Sequence, residues 1–105
     1  MRKSIFIYVT CNSEDEAKTI AKELLKKRVV ACTNFTSIKS MYWWKGEIVE
    51  ADECMLILKS FADKFDTVVA EVVAVHSYPI PCITKLDVTP NKAYYDWMST
   101  EVYGS

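Results

Sequence analysis

Two kinds of soft ligand stand out in this chain: four cysteines, Cys11, Cys32, Cys54 and Cys82, and a single histidine, His76. Thiolate sulfur and imidazole nitrogen together suit copper(I) or zinc, so the first question is which of these groups can meet. No two cysteines have the C-x-x-C spacing of a redox motif or zinc knuckle. A half-apolar chain can also build its core without cross-links, so reduced thiols are expected. Cys32 and Cys54 lie among apolar neighbours in extended stretches and read as small core residues. Cys11, His76 and Cys82 fall instead at the ends of elements. His76 alone at a helix terminus reads equally well as a partner for the helix dipole, and only convergence with two thiols makes it a ligand.

Other chemistries find little support. The 105 residues carry 13 basic and 14 acidic side chains, with no lysine- or arginine-rich stretch to capture nucleic acid or an anionic membrane. No signal peptide or membrane-spanning run is visible, so a cytoplasmic protein without direct membrane binding is expected. A glycine-rich phosphate cradle, a nucleophile–base pair and a zinc-protease helix are all missing, which points away from an enzyme. Acyl-phosphate hydrolysis would require an arginine-bearing loop after the first strand, where "CNSEDE" places acids. The aromatic strand motif of RNA-binding sheets is also absent.

The elements that must position these groups follow from period and punctuation. "SIFIYVT" alternates as a strand, and Ser13 with Glu16 forms a capping box ahead of Ala17, Ile20, Ala21, Leu24 and Leu25, a helix ending near Arg28. Residues 29–44 are β-branched and aromatic up to Lys45-Gly46, a two-residue turn, and alternation resumes from Glu47 to Lys59, giving a hairpin. Ser60 with Asp63 offers a second cap before a valine-rich helix through Phe65, Val68, Val72 and His76. Pro79 and Pro81 end it, Ile83–Val88 makes a last strand, and Thr89-Pro90 opens a final helix. One α+β domain over residues 1–105 results, a ferredoxin-like βαββαβ unit with a four-stranded antiparallel sheet in order 4-1-3-2 and an extra C-terminal helix. That order brings the end of the first strand, the end of the second helix and the start of the fourth strand to one sheet edge, where Cys11, His76 and Cys82 stand.

The hairpin strands are about twice the usual length, so their tip must overhang the domain. It carries Met41, Tyr42, Trp43, Trp44 and Ile48. Exposed aromatic surface beside unpaired strand edges calls for a cover: another copy of the chain, or the C-terminal helix with its own Tyr95 and Trp97 folding back.

The run "VACTNFTSIKSMYWWKGEIVEADE", then "LILKS", "VHSYPIPCI" and "YYDWM", resembles the CutA family of divalent-cation tolerance proteins over essentially the whole chain. The resemblance implies a ferredoxin-like protomer in a homotrimer knit by long hairpins, with Met41, Trp43, Trp44, Ile48 and Trp97 at the interface. It also implies kinship in shape with PII signalling proteins, hence an alternative role as a small-molecule sensor at subunit junctions. Bacterial members carry a cysteine near the end of the first strand and two adjacent histidines after the second helix. Here Cys11 and His76 match, whereas Val75 takes the other histidine position, Ser77 stands where proline is common and Cys82 where glutamate is usual. The metal set read from the chain is therefore Cys11, His76 and Cys82, for copper or zinc. A second set, Tyr42, Glu53, Lys59 and Tyr78, suits a cleft between subunits that receives a small anionic ligand; Glu53 and Lys59 read alternatively as one exposed ion pair.

Overall fold

The computed structural model describes residues 1–105. Strand β1 (Ser4–Cys11) leads through the Asn12-Ser13 corner into helix α1 (Glu14–Lys26). Ser13 has extended backbone and its hydroxyl accepts the Glu16 N–H at 3.1 Å, the first half of the capping box. The reciprocal bond is shifted by one residue: Glu16 Oε1 accepts from Asn12 N at 2.8 Å. At the other end Arg28 takes φ 58° while Val29 N–H reaches the Leu24 carbonyl and Arg28 N–H that of Leu25. This is a Schellman closure made without the usual glycine.

The hairpin is β2 (Cys32–Trp44) and β3 (Glu47–Phe61). Lys45 and Gly46 both have positive φ, 50° and 81°, the mirror-image turn whose twist matches the strands it joins. Pairing runs unbroken from Cys32 opposite Lys59 to Trp44 opposite Glu47. A short 3₁₀ turn (Ala62–Lys64), helix α2 (Phe65–Val75), strand β4 (Ile83–Asp87) and helix α3 (Lys92–Tyr103) complete the chain. The sheet order β2-β3-β1-β4 is antiparallel throughout, as the element order predicts.

Two boundaries differ from the sequence expectation. Ser60 is not a helix cap: β3 pairs with β1 as far as Ser4 opposite Phe61, and the buried Ser60 hydroxyl donates to the Val29 carbonyl at 2.5 Å, so α2 begins only after the 3₁₀ turn. The final helix has Asn91, not Thr89, at its N-cap position, without a side-chain capping bond, and Pro90 lies ahead of it.

Ile5, Ile7, Val9 and Cys11 of β1 and Cys54, Leu56 and Leu58 of β3 meet Ala17, Ile20 and Leu24 of α1 and Val68 and Val72 of α2 in one core. Helix α3 caps the other face at one end, where Met98 and Tyr95 pack on the wholly buried Phe61, the Tyr95 ring edge-on at 5.6 Å. It does not fold back over the hairpin. Because β1 ends at Cys11 opposite Cys54, the β3 residues before Cys54 pair with β2 alone, and the molecule is 48 Å long against 23 and 21 Å across. On this ribbon Met41, Trp43 and Ile48 are 66, 71 and 60 % exposed. No helix is long and apolar enough to cross a membrane.

Candidate functional site

At the sheet edge where β1 ends, Cys11 and His76 do come together, but their third companion is Glu16. Donor atoms of Cys11, Glu16 and His76 lie within 4.8 Å of one another. Cys82 stays outside this group: it is exposed just before β4, with Sγ 3.6 Å from the Thr84 hydroxyl. The expected Cys11–His76–Cys82 triad is thus corrected. Topology places all three at one edge, but Cys11 points into the core while Cys82 remains at the surface.

Each donor in the gathered group is already engaged. The His76 imidazole is wholly buried, its Nε2–H donates to the Thr10 carbonyl at 2.8 Å, and its Nδ1 accepts from Tyr78 N–H at 3.0 Å. These two bonds fix one neutral tautomer and use both ring nitrogens. Glu16 accepts from Asn12 N on one oxygen and, at 3.0 Å, from Ser77 N on the other. Burial alone would raise its pKa, but the bonds from Asn12 and Ser77 outweigh that and hold the carboxyl below its usual range. The Cys11 thiol is pushed up to about 12, first by burial, then by the carboxylate of Glu16, by Cys54 opposite it and by Glu53. A metal needs a free imidazole lone pair, and here the ring is bonded at both nitrogens, to the Thr10 carbonyl and the Tyr78 N–H. The donor set does not fit a resident copper or zinc ion. It fits a latch that ties the start of α1, the end of β1 and the segment after α2.

The latch sets the position of Tyr78. Its ring lies 4.9 Å from that of His76, and its hydroxyl donates to Glu53 Oε2 at 2.5 Å. Burial, then this bond, raises the Tyr78 pKa. Glu53 is only 7 % exposed although it stands where the ribbon leaves the sheet. Between the ribbon and the segment from Tyr78 to Cys82 runs a groove of about 580 Å³ whose walls include Tyr42, Trp43, Trp44, Glu53, Tyr78 and Cys82.

Of the four cleft residues read from the sequence, Tyr42, Glu53 and Tyr78 meet in this groove and Lys59 does not. Lys59 lies six residues along β3, roughly 20 Å of extended chain from Glu53. Its ammonium sits 5.3 Å from the centroids of both Phe6 and Tyr94, beside α3. Glu53 and Lys59 therefore form neither an ion pair nor one anion-binding set within a chain. Trp97 is on α3, its ring 5.3 Å from Tyr94, apart from the hairpin aromatics. Sequence reasoning saw Glu16 only as a capping residue. Its position one turn into the helix that starts beside Cys11 was the available signal.

The CutA1 divalent ion tolerance family profile matches residues 5–101. The divalent-cation tolerance protein CutA of Archaeoglobus fulgidus is 44 % identical over 98 residues, 92 % of this chain and 96 % of that one. Its counterpart in Thermus thermophilus is 37 % identical over 94 residues, covering 88 % and 91 %. Among solved structures, the protein described as the periplasmic divalent cation tolerance protein CutA from A. fulgidus superposes with TM-score 0.93 at 43 % identity, over 94 % of this chain and 98 % of that one. CutA1 from Oryza sativa superposes with TM-score 0.92 at 28 % identity, over 99 % and 97 %.

Proposed function

This chain belongs to the CutA1 family of divalent ion tolerance proteins, and on that premise we propose that it acts in divalent-cation tolerance as a homotrimeric, non-catalytic binding protein of the cytoplasm. The observation that carries the proposal is the ribbon. A strand pair projecting past β1 with Met41, Trp43 and Ile48 largely exposed is an adhesive surface, and a second and third copy are the economical cover. The rings are where assembly draws its energy, since buried aromatics dominate such contacts. Each groove then opens at a junction between copies and serves as the binding site. A second reading, a metabolite sensor with the same assembly, is favoured by one feature: the groove offers aromatic walls around a nearly buried carboxylate, as small-molecule sites do.

Native mass in solution tests the proposal. Three protomers are expected for the wild type, and Trp43→Ala is expected to weaken assembly by about 2–4 kcal/mol, the cost of truncating a central interface aromatic. A wild type that stays monomeric at micromolar concentration, with its tryptophans open to a polar quencher, refutes it.

A further inference from the structure

We propose that the groove between the ribbon and the Tyr78–Cys82 segment selects a small organic cation, an ammonium or guanidinium compound. The inference rests on the second reading above, the groove as a small-molecule site, and adds the class of its ligand. Of the eleven residues lining the groove, Glu53 alone carries a charge. No lysine, arginine or histidine lines it, and Lys59, the basic residue of the cleft set read from the sequence, lies at the far end of the same sheet face, under α3. An anion entering here meets a carboxylate, and the one basic group beside a lining ring, Lys45 at the turn, stands exposed to water.

A hard divalent ion fares little better. Magnesium or calcium takes six or more oxygens, mostly carboxylates and water, and the groove offers one carboxylate with one oxygen already bonded to Tyr78. An organic cation has weaker demands. Its charge is balanced by Glu53, and its apolar shell packs against Tyr42 and Trp44, which share the Glu53 face of the ribbon, and against Tyr78, rings whose faces attract positive charge. The molecule already uses such contacts at the ribbon tip and at the far end of β3: Lys45 holds its ammonium 5.9 Å from the Trp44 centroid, and Lys59 lies near two rings. Glu53 cannot swing away to solvent, because the latch at His76 fixes Tyr78 and Tyr78 fixes the carboxylate. A neighbouring copy laid against the ribbon closes the open side and desolvates the pair, which strengthens it.

The test is titration of the intact assembled protein with tetramethylammonium and methylguanidinium chloride, against sodium acetate, inorganic phosphate and magnesium chloride at matched ionic strength, followed by tryptophan fluorescence and calorimetry. Saturable binding of an organic cation is expected, with no saturable response to either anion or to magnesium. Glu53→Gln is expected to weaken binding about tenfold or more, as loss of a charge-assisted contact does, at unchanged native mass. Tyr42→Leu tests the wall without touching the charge and is expected to weaken it about threefold to tenfold. The proposal falls if the organic cations give no saturable signal, if an anion or magnesium alone gives it, or if both variants bind as the wild type does. In each of those cases a native mass of three protomers leaves the assembly reading standing, whereas a monomeric wild type removes that reading whatever binds.

Discussion

Replacing His76 by alanine separates a latch from a metal ligand. In the wild type the imidazole satisfies the Thr10 carbonyl and the Tyr78 N–H, with its side chain wholly shielded from solvent. Alanine leaves both groups without a partner and opens a void beside the Tyr78 ring. An unpaired buried polar group costs about 1–3 kcal/mol, and water entering the void will repair part of it, so a net loss of about 2–4 kcal/mol is expected. The assay is urea unfolding at neutral pH and fixed protein concentration, because assembly contributes to apparent stability. His76→Gln, whose amide offers one donor and one acceptor, is expected to recover part of the loss. Treatment of the wild type with a chelator is expected to change nothing. A loss below about 0.5 kcal/mol would show that the bonds contribute little. A wild type that loses stability with chelator as much as His76→Ala does would show that a metal, and not the latch, holds this edge.

Two further outcomes follow from the same groups. Glu16 has a folded-state pKa below its ordinary value, so its contribution is present above the unfolded carboxylate range and is lost as pH falls through the depressed folded value; acid unfolding should show this dependence, and Glu16→Gln should flatten it. Thiol labelling should titrate the exposed Cys82 first and leave Cys11, buried and pushed up to about 12, and the buried Cys54 unreactive until the protein unfolds; rapid labelling of Cys11 in the folded state would contradict its placement.

Much of the fold was legible because several signals agreed locally. Ser13 and Glu16 announced α1, Lys45-Gly46 announced the turn, and strand lengths announced the overhang. Boundaries failed where a tertiary contact overrode a local preference: Ser60 has the chemistry of a cap, but its hydroxyl is taken by Val29 in the adjoining segment. The site was legible at the level of sheet edges and not of side-chain direction. Topology correctly brings Cys11 beside His76, yet whether Cys82 points inward depends on the path of the 76–82 segment, which the Glu16 and His76 bonds determine. Spacing along β3 was misleading for Lys59. It shares a face with Glu53 by the alternation of the strand, but six residues of extension carry it to the opposite end.

The unbroken pairing of the ribbon makes its reach a quantised property. Adding one residue to each strand above Glu53 lifts the turn by one step but exchanges the faces of everything beyond the insertion, so Trp43 would turn to where Tyr42 and Trp44 now look. Adding two to each strand restores the facing and extends the tip by about 7 Å. The reach toward a neighbouring copy is therefore tunable in paired increments, while Glu53 stays in place and the aromatic wall of the groove travels with the tip.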